Sequence, residues 1–339
     1  MLLSGCATSV GYLAKQGSSL LRDTMGARDA AAMVSDPATP DDTRQFLLRV
    51  REIKAFAVET VGLKGSASYT RYKDLGRDHL VDVVQACDAA SFASYLWSYP
   101  FLGKLPYKGF YDRADADAEA ARLKAAGYDT IIRPVDAFST LGVLKDPLYS
   151  FMKKYTTFQI ASLVIHEQTH ATLFVKGQPD FNEELASFVG DEGAFEWLRA
   201  RFGEDSPEYR AALDQYADGQ AFTALLAALS TRLETVYGED APRDQKLVRK
   251  ASLIAEFQGD LASRAPTLFR TKPYQALGAV PVNNALLSLY RLYSNDVPLL
   301  RSYWEVRCGS DLRRFITAAS ALAKTGDVKA QMRAALAIP

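Results

Sequence analysis

The chain has 339 residues, of which 48% are hydrophobic and 24% charged, so it can bury a large core as one big domain or two. Its 40 basic and 40 acidic side chains cancel to a net charge of zero. This balance argues against the basic surface of a nucleic-acid-binding protein. Three cysteines are too few for a disulfide framework, and they lack the Cys-x-x-Cys spacing of a thiolate metal site.

The first six residues, Met-Leu-Leu-Ser-Gly-Cys, resemble the end of a bacterial lipoprotein signal, in which a small residue precedes the cysteine that is lipidated. The resemblance implies that residues 1–6 are a signal remnant and that Cys6 anchors a periplasm-facing protein in the cell envelope. No later stretch reaches the roughly 20 apolar residues needed to cross a bilayer, so we expect membrane contact through this anchor alone. With Cys6 acylated, Cys87 and Cys308 could pair in an oxidising compartment, and the sequence leaves this open.

A helical region is predicted near the start of the chain. Residues 11–33 follow a helical pattern, and the proline-containing break at 37–40 precedes Asp41 and Asp42, either of which can cap a new helix. Apolar residues then recur at helical spacing to about Val58, which predicts an amphipathic helix.

A small sheet with one crossing helix is predicted next. Alternating, β-branched runs at 66–72 and 79–84 indicate two strands that pair with each other. Further strands are expected at 107–111 and 130–135, separated by an alanine-rich helix over about 114–126 that a glycine ends.

Three helices in succession are predicted between residues 146 and 203. Asp146 caps a short helix that has Pro147 at its first position and ends near Lys154. The next helix is apolar on nearly all sides and should be buried, and the third ends at Gly203. Their N-terminal caps remain open between Thr156 and Thr157 for the first of these two, and between Pro179, Asp180 and Asn182 for the second.

The buried helix carries His-Glu-Gln-Thr-His at residues 166–170, with two of the chain's three histidines. Positions four apart lie on the same face of a helix, so His166 and His170 can bind one ion. Catalytic zinc keeps three protein ligands and an open position for water. The pattern therefore predicts one zinc ion, with Glu167 beside it as a base and not a ligand.

The third ligand is expected to be a carboxylate. A metzincin continuation needs glycine and histidine where this chain has Leu173 and Lys176, and the remaining histidine, His79, lies far upstream. Glu183 is the best candidate because its Asn-Glu setting resembles the element that gluzincin metallopeptidases carry on their second helix. Glu184 is the fallback ligand.

Residues 204–339 are predicted to be a series of helices. The breaks are expected at Pro242, Pro266, Pro273, Pro281 and Pro298. With the preceding parts, 7–145 and 146–203, these residues are expected to form a single domain over 7–339.

Segments along most of the chain resemble the putative aminopeptidases of proteobacteria, which are predicted zinc lipoproteins. The segments that carry the resemblance are 166–170, 175–177, 181–183 and 188–193 around the zinc motif, with 69–72, 109–112, 127–129, 138–142 and 283–285 elsewhere. The resemblance implies a zincin-like α+β fold that is predominantly helical, with a small sheet before the zinc helix and a helical C-terminal part.

The resemblance to zinc peptidases also implies roles outside the motif. An edge strand holding extended peptide substrate would comprise Ser139, Thr140, Leu141 and Gly142. A tyrosine from the downstream helices would stabilise the oxyanion, with Tyr293 and Tyr290 as candidates. At the position where thermolysin-like enzymes carry an acid that orients a zinc histidine, this chain has Ser187, and Asp191 is the substitute one turn further along.

The expected function is zinc-dependent peptide-bond hydrolysis with Glu167 as general base, and the family name indicates an aminopeptidase. The Gly-x-Met-Glu-Asn element by which neutral zinc aminopeptidases anchor the free amine is absent. A zinc endopeptidase therefore remains an alternative. A third reading is a non-catalytic envelope lipoprotein that binds or scaffolds with a zincin-like fold.

Overall fold

The computed structural model describes Tyr12 and residues 25–99, 103–135, 146–292 and 297–337. These residues are mostly helical, and their strands form small sheets. The predicted α+β, predominantly helical class is therefore confirmed at this level. The zincin-like fold stays a prediction.

The elements are numbered here in chain order. The α-helices are α1 (Ala30–Ser35), α2 (Asp41–Phe56), α3 (Arg113–Ala125), α4 (Thr157–Thr172), α5 (Pro179–Phe202), α6 (Pro207–Gly238), α7 (Arg243–Leu268), α8 (Lys272–Gln275), α9 (Asn284–Leu292), α10 (Val297–Cys308), α11 (Leu312–Leu322) and α12 (Val328–Leu336). The strands are β1 (Arg28–Asp29), β2 (Arg71–Lys73), β3 (Val81–Asp88), β4 (Trp97–Tyr99), β5 (Gly103–Leu105), β6 (Tyr107–Phe110), β7 (Tyr128–Val135) and β8 (Leu148–Tyr149).

The chain divides into two compact units, each built from separated stretches of sequence. The first unit comprises Met1–Leu20, His79–Asp136 and Leu213–Ser294, and the second comprises Leu21–Asp78, Ala137–Ala212 and Asn295–Pro339. The expectation of one domain over residues 7–339 stays a prediction.

The main sheet of the first unit has the order β6-β3-β7, with antiparallel pairing throughout. Helix α3 packs on it through Ala116 and Leu123, and Gly127 ends the turn after α3 with a φ of +85°. The predicted strands at 107–111 and 130–135, and the helix between them, are confirmed within a few residues.

The predicted pairing of the two earlier strands is wrong. Strand β2 pairs with β1 and β8 in the second unit, whereas β3 pairs with β6 and β7 in the first. Strand β3 is buried along nearly its whole length, as expected for a central strand with a neighbour on each side. The local pattern indicated two strands, but not their partners.

The helices of the first unit surround an apolar cluster that includes Phe222, Leu226 and Leu261. The Asn283-Asn284 pair at the start of α9 contacts the sheet: the Asn284 N–H donates to the Asp129 carboxylate at 2.8 Å. The helix break predicted at Pro266 does not occur at that residue. Pro266 lies inside α7, two residues before the helix ends.

The second unit contains the small sheet β1-β2-β8 and the helices α2, α4 and α5. The helix predicted to open at Asp146 does not form there. Leu148 and Tyr149 are buried and pair in parallel with β2, and a 3₁₀ turn follows at Ser150–Lys154. Tertiary pairing therefore overrides the local capping signal of Asp146-Pro147.

Helices α4 and α5 pack against each other, and each begins at one of the positions that the sequence left open. Thr156 caps α4 in a capping box with Gln159, and Pro179 occupies the first turn of α5. A Cβ added at Gly190 of α5 would lie 2.8 Å from the Ser162 carbonyl oxygen and 3.2 Å from the His166 Cβ. The absence of a side chain at this glycine therefore lets α5 approach the histidine helix.

Replacing Gly190 with alanine is expected to lower the free energy of unfolding by about 1–3 kcal/mol, because the added methyl group forces the two backbones apart. The His166 backbone would move with them, so the affinity for the predicted zinc ion should fall as well. Chemical denaturation and zinc titration measure the two effects.

The matched control is Gly259→Ala, in α7. No atom lies within 4 Å of a Cβ at Gly259, so this change should stabilise the helix by up to about 1 kcal/mol. A Gly190→Ala protein as stable as the wild type would contradict the close contact between α4 and α5.

Candidate metal centre

Three potential metal ligands converge where α4 and α5 pack together. The Nε2 atoms of His166 and His170 lie 3.0 Å apart. The Glu183 carboxylate lies 3.4 Å from the His170 Nε2 and 3.7 Å from the His166 Nε2. One ligand atom from each of the three residues lies within 4.8 Å of the others, as the sequence predicts.

These distances fit a zinc ion. Ligand atoms about 2.0–2.1 Å from a tetrahedral metal lie about 3.3–3.4 Å from one another. The two Nε2 atoms are 3.0 Å apart, the Glu183 Oε1 lies 3.4 Å from the His170 Nε2, and the Glu183 Oε2 lies 3.7 Å from the His166 Nε2, so the separations bracket that value. Two imidazoles and one carboxylate are also a donor set that catalytic zinc sites use.

The surroundings of His166 and Glu183 favour the protonation states that bind a metal. Burial, followed by the neighbouring His170, lowers the pKa of the His166 imidazole, which favours its neutral form. Hydrogen bonding with His170 lowers the pKa of the Glu183 carboxyl and favours the carboxylate. A neutral imidazole and a carboxylate are the forms that coordinate zinc.

Glu167 lies beside the histidines but outside the ligand group. Burial raises the pKa of its carboxyl to about 7. A carboxyl with a pKa near neutrality can both accept and return a proton at physiological pH.

Asn182 fixes the start of the helix that carries Glu183. Its side chain closes the connection between α4 and α5, because its Oδ1 accepts from the Val175 N–H at 2.8 Å and its Nδ2 donates to the Val175 carbonyl at 2.9 Å. The residue is only 2% exposed. The Asn-Glu element thus contains a structural residue followed by a candidate ligand.

The fallback ligand Glu184 lies outside the group of three. Its Oε2 is 2.6 Å from the Lys329 Nζ of α12, and the side chains of Glu184 and Lys329 are 8% and 16% exposed. Successive helical residues point about 100° apart, so Glu184 faces α12 while Glu183 faces the histidines.

Replacing Lys329 with methionine is expected to lower the free energy of unfolding by about 3–5 kcal/mol, because it leaves the buried Glu184 charge without its partner. Chemical denaturation measures the change. The double variant with Glu184→Leu should recover most of the loss, since an apolar pair of similar volume replaces a buried ion pair at little cost. If the free energy of unfolding of Lys329→Met lay within about 1 kcal/mol of the wild-type value, the buried ion pair between Glu184 and Lys329 would be contradicted.

A cavity of about 350 Å³ adjoins the candidate centre. Its described lining residues come from α4 and α5: Phe158, Gln159, Ser162, Leu163, His166, Glu167 and Asp191. The candidate base and one candidate ligand therefore face the same space.

Asp191 is the cavity residue whose position the sequence indicates least clearly. It accepts a hydrogen bond from the Ser162 hydroxyl at 2.7 Å, and burial raises the pKa of its carboxyl to about 6. The hydrogen bond of Asp191 joins it to Ser162 of α4, and neither His166 nor His170 is its partner among the described residues. The predicted role of Asp191 in orienting a zinc histidine has no support from these contacts.

Tyr69 is another residue near the candidate base, and the sequence pattern assigns it no role in the site. It is 5% exposed and has a φ of +60°, a left-handed conformation that bulky side chains rarely adopt. Burial, with the negative charges of Glu167 and Asp146, raises the pKa of its hydroxyl well above the usual value. The phenol therefore stays protonated and lies close enough to the candidate base to be influenced by its charge.

Several predicted site residues lie outside the described residues: Cys6, Ser139, Thr140, Leu141, Gly142 and Tyr293. Tyr290 is described in the first unit, where its ring packs edge-on against Phe222. The lipidation, substrate-strand and oxyanion roles stay predictions.

The remaining histidine, His79, and the buried cysteines, Cys87 and Cys308, lie outside the group of candidate metal ligands. His79 lies 3.2 Å from the Asp82 carboxylate in the first unit. Cys87 and Cys308 are both free thiols. Among the described residues, no helix combines the length and apolar character needed to cross a bilayer.

Comparison with known proteins gives one family match. A family model described as "Putative aminopeptidase" matches residues 11–336, which is nearly the whole chain. No curated protein and no solved structure matches the chain.

Proposed function

The chain belongs to the family described as "Putative aminopeptidase", and we propose that it hydrolyses peptides with one zinc ion held by His166, His170 and Glu183. The observation that carries this proposal is the convergence of two imidazoles, whose Nε2 atoms are 3.0 Å apart, on the Glu183 carboxylate, whose two oxygens lie 3.4 Å from His170 and 3.7 Å from His166. Glu167 and His166 line the same cavity. A general base next to a tetrahedral donor set is the arrangement required for metal-assisted hydrolysis.

When bound, the zinc supplies Lewis acidity that polarises the scissile carbonyl and lowers the pKa of a water to about 7. Glu167 accepts the proton of the attacking water. The resulting carboxylic acid then donates that proton to the leaving amine nitrogen, so the side chain returns to its starting state.

The packing of α4 and α5 supports this chemistry in two further ways. Ile165 and Val164, the residues just before His166 on α4, are buried, so the histidine helix is anchored in the apolar core. Asn182 and the absence of a side chain at Gly190 hold Glu183 and His166 at a fixed separation. Ligands held rigidly before the metal arrives bind it with a smaller loss of conformational entropy.

A peptide-library screen tests the proposed function. The zinc-loaded protein, the chelator-treated protein and the zinc-restored protein are each incubated with free and amino-blocked peptides. We expect hydrolysis only when zinc is present, with residues released from free N-termini. Cleavage of blocked peptides would favour the endopeptidase, and a zinc-loaded protein inactive on every peptide would favour the non-catalytic alternative.

A further inference from the structure

Two carboxyl groups, those of Glu167 and Asp191, line the cavity beside the candidate metal centre. Their presence indicates which kind of substrate the cavity can bind. We propose that the cavity binds a positively charged nitrogen of the peptide substrate, with the Asp191 carboxylate as its counter-charge. This inference rests on the proposed function, and it names a substrate-recognition residue that the family description does not assign.

The first argument is the position of Asp191. It lines the same cavity as Glu167 and His166, so a molecule in contact with the base extends toward it. Ser162 orients the carboxylate by donating to Oδ1 at 2.7 Å. A carboxylate has about four acceptor positions, so one hydrogen bond leaves capacity for an ammonium or guanidinium group.

The second argument is charge. The nearby basic residue Arg301 forms its ion pair with Glu192, Nη2 to Oε1 at 2.5 Å. Burial raises the pKa of the Asp191 carboxyl to about 6 and outweighs the Ser162 hydrogen bond and the charge of Arg301, which lower it, so the negative charge of Asp191 is only partly compensated. A buried carboxylate of this kind gains stability when a cation enters the same desolvated space.

The third argument is the shape and the distance. Phe158 and Leu163 line the same cavity as the polar groups and can pack against an aliphatic stem. Asp191 lies eight residues beyond Glu183, about 12 Å along the helix. A lysine or arginine side chain, or a free α-amine on the substrate's N-terminal side, could supply the cation over this span, and both have the same recognition chemistry.

Binding calorimetry tests the proposal with four peptides: Lys-Ala-Ala, norleucine-Ala-Ala and the N-acetylated form of each. The protein is the zinc-loaded Glu167→Gln variant, which we expect to bind without hydrolysis. We expect at least one charged peptide to bind about 10- to 100-fold more tightly than acetyl-norleucine-Ala-Ala. Loss of affinity on acetylation would identify the α-amine as the bound cation, and loss on replacing lysine would identify the side chain.

Adding Asp191→Asn should remove this preference and leave the affinity for acetyl-norleucine-Ala-Ala within about twofold. Asparagine keeps an oxygen for the Ser162 hydroxyl, so the change chiefly removes the charge. The matched control is Glu196→Gln, because Glu196 is also a partly buried carboxyl on α5 with a pKa raised by burial to about 7. It is absent from the described cavity lining, so the preference should persist in this variant.

The proposal is overturned if the four peptides bind equally, if none binds measurably, or if Asp191→Asn weakens neutral and charged peptides alike. A wild-type protein that hydrolyses nothing but shows Asp191-dependent binding of charged peptides would reject the proposed function and retain this binding site. A protein that hydrolyses peptides without any charge preference would support the proposed function and reject this binding site.

Discussion

Replacing Glu167 with glutamine is expected to lower kcat for peptide hydrolysis by about 100- to 10,000-fold while one zinc ion per chain is retained. Glutamine has nearly the same shape but cannot accept the proton of the attacking water. The three candidate ligands, His166, His170 and Glu183, are unchanged. Steady-state kinetics on a peptide that the wild type cleaves, with metal analysis of the same samples, measures both quantities.

Asp180→Asn is the matched control for this experiment. Asp180 is an exposed acid in the first turn of α5 and lies outside the cavity lining, so its loss should leave kcat unchanged. If Glu167→Gln retains activity within about threefold of the wild type, Glu167 is not the general base and the proposed mechanism fails.

Replacing His170 with alanine is expected to remove tight zinc binding and the stability that zinc confers. A ligand that binds only the folded state stabilises it by about 4 kcal/mol when its free concentration is 1,000 times Kd. Wild-type protein should show a gain of this size under those conditions, and the variant should show little. Chemical denaturation with and without zinc, with metal analysis after gel filtration, measures the change.

His79→Ala is the control for histidine loss. The His79 imidazole lies beside Asp82 in the first unit and outside the group of candidate ligands, so this variant should bind zinc like the wild type. A His170→Ala protein that holds zinc with unchanged affinity would show that the ion binds elsewhere or that His170 is not a ligand.

The candidate ligands could be predicted from sequence because they depend on local helical geometry. The four-residue spacing of His166 and His170 places both imidazoles on one face of any helix. Glu183 required one more step, since its approach to the histidines depends on α5 folding back onto α4. The Asn-Glu element indicated that step, and the contacts of Asn182 with Val175 give its physical basis.

The position of Asp191 could not be derived in the same way. Its distance from Ser162 depends on the close packing of two helices at Gly190, and no spacing along the sequence encodes that contact. The left-handed backbone conformation of Tyr69 could not be predicted from the sequence either, because aromatic residues usually adopt extended or right-handed conformations. Both features arise from tertiary packing.

The pairing of the strands also depends on tertiary packing and could not be predicted from local sequence patterns. The positions of β6, β7 and α3 followed from periodicity and the glycine stop, but the partners of β2 and β3 depend on which distant strand lies next to each. Strand β8 was missed altogether because Asp146-Pro147 is a strong local helix signal. Its pairing with β2 outweighs that signal.

Zinc K-edge X-ray absorption of the zinc-loaded wild-type protein tests most directly whether two imidazoles and a carboxylate hold the ion. The predicted spectrum has nitrogen and oxygen ligands at about 2.0–2.2 Å, the multiple-scattering pattern of two imidazoles and no sulfur shell at about 2.3 Å. A spectrum with fewer than two imidazoles, or with a sulfur shell, would contradict the assignment of His166, His170 and Glu183.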